Sequence, residues 1–177
     1  ALALQNHPVD LLVAAFAQVI ATWPNAALLI IGGGEDLPLL REQAAQAGLQ
    51  DRVYFTGQVP YQAVPAYLAL ADLSVDPVRD DPVARARSPL KLVESMALGV
   101  PVITGDVGDR AELLAGGTAG ALVPPDDAKA LAEAISALLG DPERRRALAD
   151  AGRIQASRFS WDRLATTWAT IYPREQL

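Results

Sequence analysis

Arg79, Arg85, Arg87 and Lys91 fall within one short window of a chain that is otherwise acidic, with 15 basic against 21 acidic residues and a net charge of -6. In that window Ser88 and Pro89 read as the N-cap and first residue of a helix ending at Gly99, since serine accepts from an unpaired amide and proline tolerates the first turn. A helix start presents free N–H groups and the positive end of the dipole, worth about 0.3–1 kcal/mol to a nearby anion. Cations beside it make a seat for a diphosphate. Lys91 and Glu94 stand three apart and share a helix face, so the ammonium can meet phosphate while the carboxylate accepts hydrogen bonds from hydroxyls. The plain alternative for this spacing is an exposed ion pair worth roughly 0.2–0.5 kcal/mol.

A second group is Gly32-Gly33-Gly34-Glu35-Asp36-Leu37, between a predicted strand and a predicted helix. As a dinucleotide fingerprint it fails, because Leu37 stands where close helix packing needs Gly or Ala and two acids enter the turn. A tight turn, or a loop that lets a ligand approach backbone, remains. Other chemistries are excluded by composition. With no Cys and one His, thiolate metal sites, cysteine nucleophiles, disulfides and Ser-His-Asp triads are unavailable. The acidic balance, pI near 4.7, argues against a nucleic-acid partner, which needs a basic stripe. No apolar run approaches the roughly 18 residues of a membrane span. Nothing at the N-terminus reads as a signal peptide, so the expected compartment is the cytoplasm.

The elements that must position these residues alternate between helical and strand periods, which predicts one doubly wound α/β domain over residues 1–177 with a mostly parallel, Rossmann-like sheet and a helical C-terminal end. Strands are expected at Ala1 to Leu4, Ala26 to Ile31, Arg52 to Phe55, Leu73 to Val75, Val100 to Thr104 and Ala119 to Val123. Helices are expected from Pro8 to Thr22 with Asn6 as cap, from Asp36 to Gly48, Val64 to Leu70, Ala111 to Leu114, Asp126 to Gly140, Asp141 to Ser157 and Trp161 to Tyr172 with Ser160 as cap. Pro77 to Arg87 is expected to be loop. Phe16, Trp23, Phe55, Trp161 and Trp168 are expected in the core or the last-helix seam. Asp106 and Asp109 read as helix caps, and Arg144 to Arg146 as a solvated face. In such a fold ligands bind beyond the carboxyl ends of the strands.

Lys91 to Gly105, KLVESMALGVPVITG, resembles the donor-site segment of the family 4 (group 1) retaining glycosyltransferases. Other blocks agree in order: Val9-Asp10-Leu11-Leu12 with Ala15-Phe16, Leu28 to Gly34, Arg52 to Val59, Ala71 to Val75, and Phe159-Ser160-Trp161 with Tyr172. The resemblance implies the C-terminal half of a two-domain GT-B enzyme, whose own N-terminal domain, the usual acceptor side, is the expected partner. It implies a nucleoside-diphosphate sugar as donor, with no metal and no cofactor. Glu94 then holds the ribose, backbone at Gly57 to Val59 meets the base, and the amides of Leu90 and its neighbours after Ser88 face the diphosphate. The turn at Gly33 and Gly34 lies near the donor. His7 falls where the family has a phosphate-gripping lysine, and as a cation with a pKa near 6.5 it would serve there; Lys91 is the other cation for that task. The expected setting is glycan, glycolipid or polysaccharide synthesis in the cytoplasm, with peripheral contact at the inner membrane face left open.

Ala86 departs from the family, which has a sugar-binding Glu eight positions before Glu94. That departure motivates the rival readings, a non-catalytic nucleotide-binding or scaffold domain of GT-B descent, or another GT-B activity such as an epimerase.

Overall fold

The structure is a computed structural model and describes residues 4, 5 and 7–172. Five strands are present among them: β1 (Leu28–Ile30), β2 (Val53–Phe55), β3 (Ser74–Asp76), β4 (Val102–Gly105) and β5 (Ala121–Val123). All named pairs are parallel, and they form two sheets, β1 with β2 and β3-β4-β5, where the alternation predicted one. One apolar cluster joins both, with Ile30 and Val53 packed in the same core as Ile103 and Val123. The expected first strand falls largely on residues outside those described; Leu4 is in a turn, its amide donating to Asp36 Oδ2 at 2.7 Å. Asn6 also lies outside the described residues.

The helices are α1 (Val9–Thr22), α2 (Leu37–Gln46), α3 (Val64–Leu68), α4 (Pro82–Ala86), α5 (Leu90–Ala97), α6 (Arg110–Leu113), α7 (Ala128–Gly140), α8 (Pro142–Ala156) and α9 (Trp161–Ile171). α1 buries Leu12, Val13, Phe16 and Val19 against α7, and its end at Trp23 is fixed by Pro24, which cannot continue a helix. α5 packs on α8 through a second cluster of Leu92, Met96, Val102, Leu114 and Ala156. Gly152 of α8 makes room, since a Cβ there would lie 3.3 Å from Met96 Cγ.

Several local expectations are corrected. α4 occupies part of the expected Pro77 to Arg87 loop, opened by Asp81, whose carboxylate accepts from the Ala84 amide at 2.8 Å. Asp127, not Asp126, caps α7 by accepting from Ala130 at 2.9 Å, while Asp126 has φ +57° and pairs with Arg79 at 3.3 Å. Neither Asp109 nor Ser160 makes a capping bond, although each occupies an N-cap position. Asp141 caps α8 as expected. Arg145 is not merely solvated: its guanidinium donates to the Leu138 and Leu139 carbonyls at 2.6 Å each, covering the end of α7.

Trp161 and Trp168 are exposed, at 84 and 56%. α9 buries none of its residues, and Trp168 stacks on Tyr172 at 5.6 Å. No helix among the described residues is long and apolar enough to cross a membrane.

Candidate donor site at the strand ends

Each parallel strand delivers its carboxyl end to the same side of its sheet, and the predicted site residues follow those ends. After β1, Gly32 has φ +132°, and its amide donates to Thr56 Oγ1 at 3.2 Å. After β2, Gly57 has φ +68° and forms an antiparallel bridge with Gly32. A Cβ on Gly33 would lie 3.0 Å from the Gln58 amide, so the two loops approach backbone to backbone. Gly33, Gly34, Gly57 and Val59, predicted separately, therefore belong to one edge. Half-buried Val59 leads through Pro60 into a single 3-10 turn, Tyr61–Ala63.

That turn reaches α5. Tyr61 Oη donates to Glu94 Oε1 at 2.7 Å, and the carboxylate acceptor holds the phenol above its ordinary pKa. Tyr61 is 69% exposed, so the contact spans the surface between the two glycine loops and the helix without closing it.

The start of α5 is one residue later than expected. Pro89 is the N-cap, Leu90 the first helical residue, and no side chain caps the helix; exposed Ser88 does not cap. Proline has no amide to offer and its ring fixes the approach, so the leading amides of Leu90 and Lys91 open the helix without a side-chain acceptor. Leu90 is 63% exposed. The Lys91–Glu94 ion pair does not form among the described residues. Instead Lys91 Nζ contacts Asp76 Oδ1 at 2.5 Å, while Glu94 binds Tyr61.

Asp76 ends β3 and is 3% exposed. Its Oδ2 accepts from Thr104 Oγ1 at 3.1 Å and from Arg110 Nε at 3.3 Å, and Arg110 is itself 3% exposed. Asp76, Lys91 and Arg110 line a small solvent-open cleft together with His7, Arg79, Asp81 and Arg87. Four cationic and two acidic side chains line it, and of the cations Arg79 is also paired with Asp10 at 2.6 Å and Asp126 at 3.3 Å. The cleft adjoins the start of α5. Sequence reasoning had no role for Asp76, Arg110 or Tyr61; an aspartate closing an apolar strand and an arginine entering a buried helix were the available signals.

His7 lines the cleft with Lys91 but is not the cation the sequence suggested. Burial lowers its pKa to about 4, helped by the charges of Lys91 and Arg87 against the opposing pull of Asp76. With that shift the imidazole is neutral near pH 7. Because the folded pKa lies below the unfolded value, the unfolded chain takes up this proton first, and stability falls as pH drops from about 6.5 to 4. His7→Gln is expected to flatten the part of that slope due to this residue, read from urea midpoints across the interval. An unchanged slope would contradict the assignment.

Comparison with known proteins gives this geometry its context. The sequence profile described as glycosyl transferases group 1 matches residues 4–155. A GDP-mannose-dependent alpha-(1-6)-phosphatidylinositol monomannoside mannosyltransferase of Mycolicibacterium smegmatis is 35% identical over 146 residues, covering 81% of this chain and 38% of that enzyme. Sucrose-phosphate synthase from Thermosynechococcus elongatus superposes with a TM-score of 0.83 at 32% identity, over 95% of this chain and 42% of that one. Anabaena HepE, solved with UDP-glucose, gives a TM-score of 0.75 at 26% identity over 91% of this chain and 44% of its own. The chain therefore spans less than half the length of each of these proteins. With the parallel α/β architecture, the ordered blocks and a profile match over most of its length, the chain belongs to the group 1 glycosyl transferases.

Proposed function

We propose that this chain is the donor-binding, C-terminal half of a retaining GT-B glycosyltransferase and takes a nucleoside-diphosphate sugar at the strand ends. The observation that carries this reading is the cationic cleft against the uncapped start of α5 in a chain of net charge -6. Lys91 and the amides of Leu90 and Lys91 meet the diphosphate, and Glu94, one turn further along, accepts from ribose hydroxyls. Backbone at Gly57 to Val59 meets the base, and Gly33 and Gly34 leave space for it. His7 contributes as a neutral hydrogen-bonding group. As the glycosidic bond breaks, negative charge grows on the leaving diphosphate; fixed cations and oriented amides stabilise it more than the ground state.

The relatives support a sugar donor of this class and differ in its base, GDP-mannose being named for the mycobacterial enzyme and UDP-glucose being bound in HepE. A separate N-terminal GT-B domain supplies the acceptor side. The reaction belongs to glycan, glycolipid or polysaccharide synthesis in the cytoplasm, at or near the inner membrane face.

Calorimetric titration with UDP, GDP and ADP, then with their hexose derivatives, tests the reading. One diphosphate is expected to bind selectively. Glu94→Ala should weaken it by about 1–3 kcal/mol, the range for a lost hydrogen bond to a charged group. Lys91→Met should weaken the diphosphate far more than the matching nucleoside. No binding of any diphosphate by the folded chain, or equal losses for diphosphate and nucleoside, would count against it.

A further inference from the structure

Asp76 receives two cations through different oxygens: Lys91 on Oδ1 at 2.5 Å and Arg110 on Oδ2 at 3.3 Å. The two cations differ in exposure. The Lys91 side chain is 46% exposed and faces the cleft, whereas Arg110 is 3% exposed. Arg110 is held in place by more than its carboxylate. Its Nη1 donates to the carbonyls of Ala84 and Val107, at 3.2 Å each, so it ties the end of α4 to the loop after β4. Gly108 permits this approach, with φ +62° and a would-be Cβ 2.7 Å from the Arg85 carbonyl.

Charge counting gives this arrangement a consequence for binding. One carboxylate between two cations leaves one positive charge over. Were Arg110 absent, Lys91 would be the one cation paired with Asp76 among the described residues, and the ammonium would be held as half of a neutral pair that attracts an incoming anion less than an uncompensated charge does. We propose that Arg110 is a positioning residue for the anion site: by neutralising Asp76 from inside the fold, it leaves the charge of Lys91 available to the diphosphate while Asp76 fixes where that ammonium stands. The inference rests on the reading of Lys91 as a diphosphate contact.

The test uses the full chain, with inorganic pyrophosphate and UDP or GDP as anionic probes and uridine or guanosine as uncharged ones. Arg110→Gln is expected to weaken each anionic probe about tenfold and leave the nucleosides unchanged. Arg110→Lys, which keeps the charge, should recover part of the loss. The double variant D76N/R110Q should recover most of the pyrophosphate affinity that Arg110→Gln loses, because removing both charges again leaves Lys91 uncompensated while the amide oxygen introduced at position 76 still accepts from the ammonium. A purely structural role for Arg110 predicts no separation of anionic from uncharged probes.

Should Arg110→Gln fail to fold, the double variant decides. Binding near the parental level supports the proposal, and loss of pyrophosphate binding in the folded double variant overturns it. Lys91→Met separates the two readings. If Lys91→Met weakens pyrophosphate but Arg110→Gln does not, the inference about Arg110 alone is wrong. If Lys91→Met leaves pyrophosphate unaffected, the assignment of Lys91 and the inference built on it both fall.

Discussion

Replacing Asp76 with alanine is expected to lower the unfolding free energy by about 3–5 kcal/mol, among the largest losses available to a single substitution in this chain. Arg110 would keep its charge at 3% exposure, with only the Ala84 and Val107 carbonyls left to it. Thr104 Oγ1 would lose one acceptor but retain the Asp76 carbonyl at 3.0 Å, so the hydroxyl adds little to the cost. The uncompensated guanidinium dominates. Asp76→Asn should cost less, since the amide oxygen still accepts from Arg110 and Thr104. Replacing both partners, as in D76L/R110M, should recover most of the loss because it removes the buried charges together. Urea denaturation of the four proteins at pH 7 checks the order. A loss below about 1 kcal/mol for Asp76→Ala would mean that water reaches Arg110 and that the pair is not dry.

The contrast between Asp76 and Glu94 shows where the sequence was readable. Glu94 belongs to an ordered block whose helix was legible from Ser88-Pro89 and Gly99, and its i, i+3 relation to Lys91 put both on one face. What the two side chains touch was not legible, because each bonds to a residue distant in sequence: Lys91 to Asp76 and Glu94 to Tyr61. Local spacing suggested they would pair with one another. Tertiary partners won, one buried and one aromatic.

The same limit explains the element boundaries. α1, α7 and α8 are long enough for a helical apolar period to show; the ends of α1 and α8 agree with Pro24 and Asp141-Pro142, and the cap of α7 falls one residue after the expected Asp126. α4 has five residues, too few to display a period. Its start nevertheless carried the same signal as α8, Asp81-Pro82 beside Asp141-Pro142. Residues in the chain also have more than one use. Asp36 stands at an N-cap position, yet its carboxylate takes the Leu4 amide 32 positions away instead of capping α2. The aromatic residues of α9 show the reverse case, where a clean amphipathic period predicted burial and the described residues leave Trp161 and Trp168 exposed.

Met96→Ala is expected to cost about 2–5 kcal/mol of stability while barely changing affinity for a nucleoside diphosphate. Met96 is 1% exposed, and it fills the space between α5 and α8 over Gly152. Truncation removes apolar contact and leaves a void that neighbouring Leu92 and Leu114, at 1 and 0% exposure, have little freedom to close. For a domain whose total stability is about 5–15 kcal/mol, that is a large fraction. Binding should be spared because α5 is held from both faces. Leu92 still anchors its buried side, while Asp76 holds Lys91 and Tyr61 holds Glu94 on the other. Urea denaturation and calorimetry at a temperature well below the unfolding midpoint separate the two effects. Equal losses in stability and affinity would show that α5 is positioned by its core packing alone, and that the Asp76 and Tyr61 contacts do not orient the helix for its ligand.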